Sequence, residues 1–237
     1  MHKEETNNQK ENTKGLTMPK AIIVAGILIA GAILFPHLSG GKQAALDAAA
    51  ERGVAGDGDS VTLINDVNKD DYSTGAKNPK ITIVEFSDFG CSFCAQFHPT
   101  LASVVEEYPE DIAWVYRHLP YRNVKAARAA ECVGQKLGDE AFWEYSDILF
   151  SSFPNITDSL METEALRLGF DSLEKFWSCQ TDESVVEAVE RDAAEARLLG
   201  ASGTPFSLIV TEDGRTFPLR GATQLEQLKQ IIDVLVN

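Results

Sequence analysis

The chain has 237 residues, 44% hydrophobic and 24% charged, enough for one large or two small domains with a buried core. Its 36 acidic and 21 basic side chains leave a net charge of −15. That balance excludes a nucleic-acid binder built on basic patches, and an anionic lipid surface as partner of the globular part.

Residues 21–35 carry no polar side chain, and continuing to Leu38 makes an apolar segment of 18 residues. This approaches the roughly 20 residues needed to cross a hydrocarbon core. A cleaved signal peptide calls for a basic stretch directly before the run and a small-residue cleavage site after it. Here residues 1–18 form a long polar tail before Pro19 and Lys20, and no clear cleavage site follows Phe35. The expectation is an uncleaved transmembrane signal anchor at 21–38, preceded by a cytoplasmic tail at 1–20. Lys3, Lys10, Lys14 and Lys20 precede the segment, and Lys42 alone closely follows it. Positive charge stays inside, so the acidic remainder is expected outside the cytoplasm, where disulfides persist.

Residues 39–60, rich in Gly, Ala, Ser and Asp, are expected to be a linker, and 61–237 a folded domain. Ile81–Asp88 alternates and is rich in β-branched residues, so a strand is expected. Cys91–Tyr108 has helical spacing, and Ile112–Tyr116 is a second strand. Five helices follow, over Asn123–Leu137, Asp139–Phe150, Glu162–Leu168, Leu173–Gln180 and Ser184–Leu199. Phe206–Val210 and Thr216–Leu219 flank Asp213-Gly214, a hairpin signal. Gln224–Val236 is a closing amphipathic helix. Strand–helix–strand implies a parallel pair with a right-handed crossover, and the hairpin an antiparallel extension of the same sheet.

Cys91-Ser92-Phe93-Cys94 lies where a strand ends and a helix begins. Free backbone N–H groups and the helix dipole favour a thiolate there. Cys91 is expected to be the exposed, attacking sulfur. Cys94, one turn in, is expected to be buried and to resolve the mixed disulfide. A zinc half-site needs two more ligands, and Cys132 and Cys179 stand alone while His98 is seven residues from Cys91. Glu85 shares a strand face with Ile81 and Ile83. If partly buried, its raised pKa suits proton exchange with Cys94; otherwise it is a strand-edge carboxylate in water. Pro205, before a strand, reads as trans from base frequencies alone.

These residues resemble the thioredoxin superfamily: the strand, Cys-x-x-Cys, Pro99 eight residues after Cys91, and Gly203-Thr204-Pro205 before the hairpin. The helical block, with Ala126–Ala130, Phe142-Trp143, Leu149-Phe150, Leu168-Gly169 and Phe176, looks like the DsbA-like branch. The resemblance covers about 61–237 and implies an α/β thioredoxin fold with a helical insertion at about 122–200. It implies that Pro205 is cis and packs on the cysteine pair, that Thr204, Pro205 and Phe93 meet substrate, and that Glu85 lies beneath the site. Strongly oxidising members carry histidine where this chain has Phe93, so a less oxidising disulfide is expected.

Cys132 and Cys179 are either buried thiols or a structural disulfide, and an oxidising compartment favours the bridge. Trp114, Trp143, Trp177 and His118 read as packed residues. The expected function is a membrane-anchored bacterial thiol:disulfide oxidoreductase with no cofactor. Its partners are cysteine-containing proteins and a membrane redox protein, DsbB-like or equivalent. One rival is a copper-delivery module using the same thiolates, for which His98 or His118 has to stand beside both sulfurs. Another is a scaffold that uses the fold for binding only.

Overall fold

The computed structural model describes residues 64–236. The expected tail, membrane anchor and linker lie outside the described residues. Five strands form one sheet in the order β1-β3-β2-β4-β5. They are β1 (Tyr72–Gly75), β2 (Ile81–Ser87), β3 (Ile112–His118), β4 (Phe206–Thr211) and β5 (Thr216–Arg220). β2 and β3 are parallel, in register from Ile81 opposite Ile112 to Ser87 opposite His118. β1, β4 and β5 join antiparallel. Helix α1 (Ser92–Glu107) makes the crossover from β2 to β3.

The helical insertion comprises α2 (Val124–Leu137), α3 (Asp139–Ser151), α4 (Asp158–Leu168), α5 (Leu173–Cys179) and α6 (Glu183–Leu198), and α7 (Leu225–Val236) closes the described chain. β2 sits between two strands and is covered on both faces, so nearly all of it is buried. Its Ile81 and Ile83 pack with Phe97 and Leu101 of α1 and Leu228 and Ile232 of α7. Val84 and Phe86 face the other way, against Ala193 and Ala196 of α6. A third core, around Phe142, Tyr145 and Phe176, fills the insertion and reaches both redox cysteines.

Two local expectations are corrected. Strand β1 was not anticipated; Tyr72-Ser73-Thr74-Gly75 is too short to show alternation, and only its antiparallel pairing with Ala113–Tyr116 makes it a strand. Helix α4 begins at Asp158 rather than Glu162, because the Thr157 hydroxyl accepts the Leu160 N–H at 3.2 Å and caps the helix earlier.

Arg117, on β3, is buried and ties the start of the described chain to the insertion. Its Nε and Nη2 donate to Asp71 at 2.7 and 2.9 Å, and Nη1 donates to Glu195 at 2.9 Å. Cys132 of α2 and Cys179 of α5 form a disulfide across Cα atoms 6.0 Å apart.

Candidate active site

The turn between β2 and α1 is built around one buried carboxylate. Asp88 accepts N–H bonds from Gly90 at 2.8 Å, Arg122 at 2.7 Å and Asn123 at 3.3 Å. Its carbonyl accepts the Cys91 N–H at 2.9 Å. Gly90 is required here, since a Cβ would come within 2.7 Å of the Arg122 side chain and 3.2 Å of the Asn123 backbone. The loop entering the insertion is thereby held against the cysteine turn.

Cys91 occupies the N-cap of α1 in extended conformation, with φ −103°. The thiol donates to the Thr204 carbonyl oxygen at 3.3 Å. As a thiolate it accepts from the Cys94 thiol, the Thr204 hydroxyl and the N–H groups of Cys94 and Phe93, which together bring its pKa down to about 5. Cys94 has no solvent exposure, and burial followed by the bond to Cys91 and the Glu85 charge pushes its pKa up. Both thiols are free. The expectation of an exposed Cys91 is corrected: the residue is only 7% accessible, because the 204–205 segment and the insertion close over it.

The Thr204–Pro205 bond is cis, as is Phe153–Pro154, which no sequence signal marked. Pro205 is buried, and with Ser202, Thr204, Arg220 and Gly221 it lines a shallow depression of about 140 Å³ beside the site. Phe93, between the cysteines, is 59% exposed.

Glu85 is fully buried, which removes the reading of a strand-edge carboxylate in water. Desolvation raises its pKa to about 7, against the opposing pull of His98 and the hydrogen bonds from Ser87 and Trp114. Ser87 Oγ donates to it at 2.8 Å and Trp114 Nε1 at 3.2 Å. Trp114 is therefore more than the packing residue expected. Ser87 carries a readable signal, since positions 85 and 87 share one face of a strand. The Trp114 contact depends on strand register, with Ile83 opposite Trp114.

The Nε2 atoms of both histidines meet carboxylates. His98 Nε2 is 2.6 Å from Asp147 Oδ1, and His118 Nε2 is 3.2 Å from Glu131 Oε2. Among the described residues no group of three His, Cys, Asp or Glu side chains is placed to hold a metal ion.

A family model described as thioredoxin matches residues 67–234. The chain belongs to the thioredoxin family. Its thioredoxin domain is similar to a periplasmic thioredoxin-like protein from Salmonella enterica serovar Typhimurium, with 28% identity and a TM-score of 0.61 over 74% of this chain and 94% of that one. The DsbA-like form of the fold, with its helical insertion, is shared with the thiol-disulfide exchange protein alpha-DsbA2 from Wolbachia pipientis. That match has a TM-score of 0.60 at 20% identity, over 82% of this chain and 95% of that one. Among curated proteins it is 29% identical over 165 residues to a Na(+)/H(+) antiporter NhaA of Herminiimonas arsenicoxydans, covering 69% of this chain. The thioredoxin chain spans about a quarter, 25%, of that relative's length.

Proposed function

We propose that this thioredoxin-family protein is an extracytoplasmic thiol:disulfide oxidoreductase that forms or exchanges disulfides in secreted or cell-envelope proteins. The observation that carries the reading is the asymmetry of the two thiols. Cys91, at the helix N-cap, is ionised well below neutral pH, while Cys94 is wholly buried and held protonated.

The chemistry follows from that asymmetry. In the reducing direction the Cys91 thiolate attacks a substrate disulfide and expels one thiolate. The remaining half stays on Cys91 as a mixed disulfide. Cys94 gives its proton to Glu85 and attacks the Cys91 sulfur. The bond to substrate breaks, its electron pair leaves with the substrate sulfur, and Cys91–Cys94 is left oxidised. The oxidising direction is the reverse. Thr204 and Pro205, with the depression beside them, receive the substrate chain, and Phe93 offers it an exposed apolar contact.

Placement outside the cytoplasm rests on the apolar run at 21–38, the lysines before it and the Cys132–Cys179 bridge, a bond suited to an oxidising compartment. A membrane redox partner restores the Cys91–Cys94 couple. None of the described helices is long and apolar enough to cross a membrane.

The test incubates a catalytic amount of protein with a reduced two-cysteine peptide and oxidised glutathione, and follows peptide thiols. Wild type is expected to accelerate their loss, Cys91→Ser to abolish the effect, and Cys94→Ser to accumulate a mixed disulfide on Cys91. Acceleration that survives Cys91→Ser overturns the reading. For placement, protease outside spheroplasts is expected to digest residues 61–237, and carbonate washing to leave the protein in the membrane. Release of a shortened form overturns the anchor.

A further inference from the structure

The proton that leaves Cys94 for Glu85 has no direct way out, because both groups have zero accessibility. A buried acid that must load and unload once per redox cycle needs a path to solvent. One side chain that the thiol chemistry itself does not use is a candidate for that path.

His98 follows Cys94 by one helical turn, and both lie on the buried face of α1, where residues four apart are neighbours. Its imidazole is packed against Phe150 at 4.5 Å and against Trp114 at 4.8 Å between ring centroids. That same Trp114 donates to Glu85. His98 is 4% exposed, yet its Nε2 is 2.6 Å from Asp147 Oδ1, and the Asp147 side chain on α3 is 65% exposed. Its Nδ1 is buried and has no hydrogen-bond partner in the protein. One ring nitrogen thus meets a carboxylate in water and the other is uncommitted inside.

We propose that His98, backed by Asp147, carries the proton between the buried Glu85–Cys94 pair and solvent. With Nε2–H toward Asp147, the inward Nδ1 takes the proton from Glu85 through one bridging water, as Nε2 releases its own to Asp147 and bulk water. When the couple turns over in the other direction the proton moves inward and the tautomer resets, so the alternation of redox states recharges the relay. The ionisable groups nearest the imidazole are Asp147 from α3, hydrogen-bonded to it, Glu85 from β2, and Cys94 one turn earlier on its own helix. The His98 interaction is among those that oppose the raised pKa of Glu85, in keeping with their proximity. His98 is a positioning and relay residue, since it acts on the sulfurs through Glu85.

This inference rests on the oxidoreductase reading, and the experiment separates the two. Reduced protein is mixed with oxidised glutathione at one pH, and the release of the second glutathione from Cys91 is timed. Wild type, His98→Gln and Asp147→Asn are compared, with Cys91 alkylation as a control. Both variants are expected to slow glutathione release at least tenfold and to leave Cys91 alkylation unchanged. Added imidazole is expected to restore the rate in proportion to its concentration. Asp147 is at the surface, so its variant keeps the fold even where His98→Gln does not. Normal release in Asp147→Asn, or slow release that imidazole does not restore, overturns the relay alone. Wild type that never releases glutathione from Cys91 overturns the oxidoreductase reading and the relay with it.

Discussion

The sulfur of Cys91 lies 3.3 Å from the carbonyl oxygen of Thr204, a contact between segments 113 residues apart in the chain. The nucleophile is therefore tuned by the loop before β4 as well as by its own helix. Thr204→Val keeps the shape and removes the hydroxyl that stabilises the thiolate. The expected midpoint for Cys91 alkylation against pH is about 5 in wild type. One lost charge-assisted hydrogen bond raises it by about one unit in the variant. Iodoacetamide rates from pH 4 to 9 check this, and superimposable profiles refute it.

Phe93 is the position where a new donor is expected to act on the potential. Phe93→His adds a cationic group beside a thiolate that is already ionised at neutral pH. Each unit by which it further favours the thiolate stabilises the reduced form, making the disulfide a stronger oxidant by up to roughly 30 mV. Position 93 is 59% exposed, so solvent takes part of that gain. Glutathione equilibria of both proteins at pH 7 measure the shift, and an equal or lower potential in the variant contradicts it.

Burial of Glu85 makes stability depend on pH in a definite direction. Its folded pKa, about 7, lies above the ordinary glutamate value of 4.5 that holds in the unfolded chain. The proton is held more tightly in the folded state, so this contribution is complete below pH 4.5 and is lost as pH rises through 7. Glu85→Gln is neutral throughout. The variant is expected to gain about 3 kcal/mol on wild type between pH 4 and pH 8. Urea unfolding of both reduced proteins across that range gives the difference, and a flat or falling difference counts against it.

Arg117 compensates two buried carboxylates, Asp71 and Glu195, and removing it leaves both without their cation. Arg117→Met is expected to cost about 3–5 kcal/mol, read from the shift in urea midpoint. A loss under 1 kcal/mol would show that the network contributes little.

The Cys132–Cys179 bridge spans a sequence separation of 47 residues. In the chain-entropy account, closing such a loop stabilises the fold by about 4 kcal/mol. The double Ser variant is expected to lose that amount in urea unfolding while its Cys91 alkylation profile stays unchanged. An altered profile would tie the bridge to the redox site.

What could be read from sequence was local. Alternation in Ile81–Asp88 and the helical spacing after Cys91 are properties of neighbouring residues, and they located β2, α1 and the cysteine turn. The four residues of β1 carry no such pattern, and their strand character comes from pairing with β3. Glu85 announced a shared face with Ile81 and Ile83, but its complete burial depends on α1, β3 and β4 closing around it. The bonds from Trp114 to Glu85 and from His98 to Asp147 join residues 29 and 49 positions apart. Spacing along the chain holds no trace of either. The cis bond at Pro205 ran against base frequencies and agreed with the family resemblance.

The Asp88 anchor has a consequence for the conditions under which the redox centre keeps its shape. Its oxygens are taken up by uncharged backbone donors on both sides of the cysteine turn, at a site with 1% accessibility. Dissolved ions screen charges at the surface, such as Lys80 with Asp111, far more than an enclosed carboxylate on neutral dipoles. The turn that carries the reactive sulfur, in a chain of net charge −15, thus keeps the same anchor in dilute and in concentrated salt.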